Sequence, residues 1–227
     1  MIEENIKNIK QRIKRKAEST GRNPNEITLV AVSKLKPVEL IEEAFSLGLR
    51  DFGENRTPEF QQKAETLSKE INWHFIGHLQ TRKVKEVVPY AYLIHSVDTL
   101  KLAREINKRA RNIKKIQNVL IEIKTSYEET KAGLVDSNEI KDVLDFCIEA
   151  ENINVQGFMT MAPFTDDEEE IRKSFKKLKN LFEDFNGNGY NLKHLSMGMT
   201  NDFEIAIEEG ATIVRIGTAI FGQRNYN

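Results

Sequence analysis

Apolar residues recur along the chain in two alternating rhythms: short β-branched runs, and longer stretches in which they return every three or four positions. The first stretch places Ile2, Ile6, Ile9 and Ile13 on one face and Lys10, Arg12, Lys14, Arg15 and Lys16 elsewhere, which predicts an amphipathic helix through about residue 20. Gly21-Arg22-Asn23-Pro24-Asn25 has the chemistry of a turn. The run Ile27 to Ser33 then reads as a buried strand ending at Lys34, and Pro37 opens a helix carrying Leu40, Ile41, Ala44, Phe45 and Leu47. From there the alternation repeats. Further strands are expected over 49–52, 73–77, 92–96, 119–123, 154–159, 192–195 and 212–216, and helices over 56–70, 81–88, 99–113, 138–151, 166–185 and 202–209. Asn186-Gly187-Asn188-Gly189 is expected to break the penultimate helix.

Eight strand–helix units without a long linker predict an α/β fold, a single (β/α)8 TIM barrel. Residues 1–227 are then one domain, with residues 1–20 as an extra helix packed on the barrel. An open, doubly wound sheet is the competing architecture, which the count of eight disfavours.

Composition narrows the function without choosing it. A formal net charge of -1 provides no global field for nucleic acid or an anionic membrane. The amino terminus lacks the apolar centre of a signal peptide, and no stretch is apolar for long enough to cross a bilayer, so a cytoplasmic protein is expected. Cys147, the one cysteine, shares a helical face with Val143, Phe146 and Ala150, which predicts a core role rather than a nucleophile.

The strand ends carry the chemistry. Alternation puts Val30, Val32 and Lys34 on one face of the first strand. If that face is interior, the amine loses hydration, its pKa falls and it becomes able to attack a carbonyl; a lysine at a strand end can also simply reach solvent. After the seventh strand, Ser196-Met197-Gly198-Met199-Thr200, and after the eighth, Gly217-Thr218-Ala219, bring hydroxyls, amides and a helix start together where barrels commonly bind phosphate. Arg215 falls on the inward face of the eighth strand and needs an acceptor, either a ligand or a carboxylate such as Glu54 or Glu122. Amine, phosphate cradle and buried cation together suit a phosphorylated aldehyde, and pyridoxal 5'-phosphate (PLP) fits that description. His74, His78, His95 and His194 lie in or near strands without a His-x-His pair, so no metal site is expected.

Seven segments in order, Ala31-Val32-Ser33-Lys34-Leu35-Lys36-Pro37, Phe52-Gly53-Glu54-Asn55, His74-Phe75-Ile76-Gly77-His78-Leu79-Gln80, His95-Ser96-Val97-Asp98, Gly157-Phe158-Met159-Thr160-Met161, Leu195-Ser196-Met197-Gly198-Met199 and Val214 through Gly222, resemble the pyridoxal phosphate homeostasis protein family. The resemblance implies a barrel similar to that of alanine racemase and PLP held as an aldimine on Lys34. It also implies Arg215 facing the pyridine nitrogen, Ser196, Gly217 and Thr218 at the phosphate with Met197 alongside, and Asn55 and Met161 near the ring. Such proteins are implicated in balancing free cofactor rather than in catalysis, with apo PLP-dependent enzymes as candidate recipients, and a monomer is expected. Arg82 stands where the family usually has asparagine, and Thr200-Asn201 where it often has serine and aspartate; Lys131 matches a loop lysine of the family. An amino-acid racemase is the alternative. It would need a second base, for which Tyr90, Tyr92, Tyr127 and Tyr190 are the tyrosines at hand.

Overall fold

The structure, a computed structural model, describes residues 1–126 and 132–223, so Tyr127 and Lys131 lie outside the described residues. Eight parallel strands pair in chain order and close on themselves: β1 (Thr28–Val32), β2 (Asp51–Glu54), β3 (Asn72–Phe75), β4 (Leu93–Val97), β5 (Gln117–Glu122), β6 (Ile153–Met159), β7 (His194–Ser196) and β8 (Ile213–Ile216). Helix α1 (Ile2–Ser19) precedes them. Between and after them come α2 (Val38–Ser46), α3 (Thr57–Thr66), α4 (Val84–Val87), α5 (Leu100–Asn112), α6 (Ser137–Glu149), α7 (Glu168–Gly187), α8 (Phe203–Glu208) and the single turn α9 (Thr218–Phe221). The expected barrel with its additional leading helix is the observed architecture.

The strands read as near-continuous apolar runs because both of their faces are covered. Ala31, Phe52, Trp73, Phe75, Ile94, Val119 and Phe158 turn outward into the layer shared with the helices. Val30, Leu93, Leu120, Met159 and Ile213 form a separate cluster inside the barrel. Closure pairs Val30 with Arg215 and Ala31 with Ile216, which fixes the two strands most relevant to the site against each other.

Helix α1 buries Ile2, Ile6, Ile9, Ile13 and Ala17 and packs against α8 and α9. Two of its basic residues are paired across that seam: Arg12 with Glu204 at 2.6 Å and Lys16 with Glu208 at 2.5 Å. Cys147 is buried, and burial pushes its thiol up to about 12, as suits a core residue. Some boundaries differ from expectation. Residues 81–88 divide into a 3-10 turn (Thr81–Lys83) and the one-turn α4, and α7 runs through Gly187. The break comes later, at Gly189 with φ of 95°, because Asn186 donates to the Leu192 carbonyl (3.1 Å) and accepts from its amide (2.8 Å), tying the last turn to the following segment. Among the described residues no helix is long and apolar enough to cross a membrane.

Candidate functional site

Parallel closure gathers the carboxyl ends of all eight strands at one face, and the residues singled out from the sequence sit there. Lys34 is half-buried in the turn just past β1 rather than in the strand itself. The turn is held on both sides. Before Lys34, the Ser33 hydroxyl donates to Glu54 Oε1 (2.7 Å), and the Ser33 carbonyl accepts from Lys63 Nζ (2.8 Å). After it, Leu35 adopts φ of 60°, a left-handed conformation rare for leucine, and its amide donates to Glu59 Oε1 (2.6 Å). Such strain costs about 1–3 kcal/mol and persists only where neighbours over-determine it.

Lys63 is the neighbour that does so. Its ammonium bonds Glu54 Oε1 at 2.8 Å and Glu59 Oε1 at 2.6 Å as well as the Ser33 carbonyl, so one buried cation links β1, β2 and α3. Burial raises the pKa of Glu54, and Lys63 opposes that rise. Lys36 completes the support by donating to the carbonyls of Phe221 (3.1 Å), Gly222 (3.1 Å) and Gln223 (2.9 Å), which ties the same turn to the end of α9.

Arg215 is inside the barrel and only 4% exposed. Its Nη1 donates to Ser196 Oγ at 2.6 Å and its Nη2 to the Thr160 carbonyl at 2.9 Å. Burial pulls the guanidinium down to about 10, opposed by Asp202 and Glu122, so it remains charged at neutral pH. Glu54, one carboxylate weighed for it, pairs with Lys63 instead. Ser196 also meets His95 Nδ1 at 2.9 Å, so its hydroxyl already has two partners. Met197 is fully buried and Met161 is packed against the inner apolar cluster.

Asn55 follows β2, and its backbone is approached so closely by the next loop that a Cβ at Gly77 would lie 2.2 Å from its carbonyl oxygen. Gly217 is half-buried beside Val32, and Thr218 is exposed at the start of α9. Gly198 has φ of 94°, and a Cβ there would meet Ala206 Cβ at 2.6 Å, so only glycine lets the β7 loop fold onto α8.

Several residues named from the sequence take roles at the site that the sequence did not indicate. His74 and His95 bond each other (2.9 Å) rather than standing isolated, and strand alternation, which turns Trp73 and Phe75 outward, is the signal that would have placed His74 inside. Burial, then His74, Arg215 and His194, hold the His95 pKa well below the usual imidazole range. Burial, with Asp98 adding to it and Arg215 opposing, raises Glu122 to about 7. Among the described residues no group of three or more His, Cys, Asp or Glu could hold a metal ion. A cleft of about 860 Å³ between α6 and α7, lined by Val135, Ile140, Lys173 and Leu181 and by Lys124 and Thr125 just past β5, touches none of the site residues named above.

Comparison with known proteins decides the family. The alanine racemase N-terminal domain family matches residues 2–225. A pyridoxal phosphate homeostasis protein from Aquifex aeolicus is 45% identical over 226 residues, covering 98% of each chain. The chain belongs to the pyridoxal phosphate homeostasis protein family. A member from Schizosaccharomyces pombe is 38% identical over 213 residues, 91% of this chain and 86% of its own. Among solved structures, PipY of Synechococcus elongatus, determined with PLP bound, superposes with a TM-score of 0.84 at 29% identity, over 98% of this chain and 100% of that one. An alanine racemase from Clostridium difficile shares the fold, with a TM-score of 0.80 at 15% identity, over 100% of this chain and 57% of its own.

Proposed function

We propose that this protein binds PLP covalently on Lys34 and holds and releases it in cofactor homeostasis, rather than turning over a substrate. The relatives' names and the PLP-bound PipY structure support the reading. The observation that carries it is the buried Arg215, fixed by Ser196 and Thr160 on the strand paired with β1. The donor set fits the cofactor: an amine for the aldehyde, a guanidinium for the ring nitrogen, and a hydroxyl and amides at Gly217 and Thr218 for the phosphate. The Ser196 hydroxyl is bonded to Arg215 and His95, and the Met197 amide to the Ile213 carbonyl (3.1 Å), so the phosphate falls chiefly to Gly217 and Thr218, with Ser196 and Met197 lining the cradle. Asn55 and Met161 would lie near the cofactor's ring.

A guanidinium donates and does not readily give up its proton, so a ring nitrogen facing Arg215 stays an unprotonated acceptor and a weak electron sink. Such a site binds an aldehyde reversibly; racemisation tolerates the weak sink but needs a second base on the other face of the ring. On this reading residues 1–227 work as one monomeric domain in the cytoplasm, and apo PLP-dependent enzymes are the recipients. Visible absorption tests it: protein incubated with PLP should gain an imine band that Lys34→Ala lacks. The same band in both proteins would overturn the assignment.

A racemase-like enzyme is the second reading, favoured by Glu122, whose carboxyl near 7 is poised to move a proton. The tyrosines offer less. Tyr90 bonds Glu65 and Tyr190 bonds Asp145 on the outer helices. Steady exchange of an amino acid's α-proton, lost in both Lys34→Ala and Glu122→Gln, would favour the enzyme.

A further inference from the structure

Five side chains from five strands form one hydrogen-bonded chain across the barrel interior. Arg215 Nη1 lies 2.6 Å from Ser196 Oγ, which lies 2.9 Å from His95 Nδ1. His95 Nε2 is 2.9 Å from His74 Nδ1, and His74 Nε2 is 3.0 Å from Asp51 Oδ1. The inner four are almost wholly buried, whereas the Asp51 side chain, at the amino end of β2, is 23% exposed and also accepts from Asn72 Nδ2 at 3.2 Å. We propose that Asp51, His74 and His95 are positioning residues for Arg215, acting through a single proton order that runs from Arg215 to Asp51.

Donor and acceptor roles at the two ends are fixed. A guanidinium only donates, and an ionised carboxylate only accepts. With neutral imidazoles the links between them follow. His74 donates from Nε2 to Asp51, so its Nδ1 accepts; His95 donates from Nε2, so its own Nδ1 accepts; Ser196 donates to that nitrogen and receives from Arg215. Doubly protonating His74 would reverse the order and make Ser196 accept from both neighbours. Its buried proton would then have no acceptor among the described residues, which carries the penalty of an unsatisfied buried donor. Each link polarises the next, so the carboxylate at one end of the barrel sharpens the acceptor that orients the guanidinium near the other. The positioning role rests on the reading that Arg215 faces the cofactor.

The test uses cofactor-free, histidine-15N-labelled protein near neutral pH, with two-bond 1H–15N spectra to assign the tautomers. Both His74 and His95 should carry their proton on Nε2. A proton on Nδ1 of either ring overturns the proposal. In cofactor-loaded protein, Asp51→Leu should mix the His95 tautomers and speed PLP release by about tenfold, the scale of one hydrogen bond to a charged group. Asp51→Asn, whose amide oxygen still accepts, should keep both properties. Unchanged tautomers and release in Asp51→Leu also overturn it. Wild-type protein with the expected tautomers but no pyridoxyl adduct on Lys34 overturns the cofactor reading, and with it the positioning role, on a separate readout.

Discussion

Lys34 takes its position from the turn that carries it, which is held by Ser33 just before it and by Glu54 and Lys63 from the next strand–helix unit. Lys63 is 5% exposed and compensates two carboxylates, so Lys63→Met strands the Glu54 charge in the interior. Losing one partner of a buried pair costs about 3–5 kcal/mol, and urea unfolding should register that loss, with partial recovery when Glu54→Leu is added. Glu122 makes the opposite kind of prediction. Its pKa is raised in the fold from 4.5 to about 7, so the folded state binds the extra proton and stability falls as pH rises through that window. Glu122→Gln should flatten the decline, which amounts to up to about 3 kcal/mol, in denaturation measured across the same range. Period-two alternation made the inward placement of Arg215 legible from the chain alone. The Ser33–Glu54–Lys63 cluster was not, since its members are separated by up to 30 residues and meet only when parallel strands close.

At the scale of elements, α1 shows how far a periodic pattern reaches. Its isoleucine row was evident, and the structure buries that row against α8 and α9. Ile9→Ala, at a position 3% exposed, should destabilise by about 2–5 kcal/mol in thermal or urea unfolding. The pairing of Arg12 with Glu204 was not evident, because it depends on an element 192 residues away. Boundaries failed where tertiary contacts overruled local propensity. Gly187 stays helical because Asn186 is tied to Leu192, and Lys34 falls in a turn because Lys63 and Glu59 hold Ser33 and Leu35 there.

At the scale of the whole molecule, the count of strand–helix units was enough to give the barrel, its closure and its leading helix. The residues assigned to the cofactor lie together at the carboxyl end, although the chain from Lys34 to Thr218 spans nearly its full length. What counting could not supply was the polar interior: a buried arginine oriented through serine and two histidines toward a carboxylate at the far end of the strands. On the proposed reading, that interior is what sets the arginine against the cofactor. Borohydride reduction of the PLP-loaded protein, followed by peptide mass mapping, tests the central claim most directly. The pyridoxyl group should be found on the peptide containing Lys34; an adduct confined to other lysines, or none at all, would contradict it.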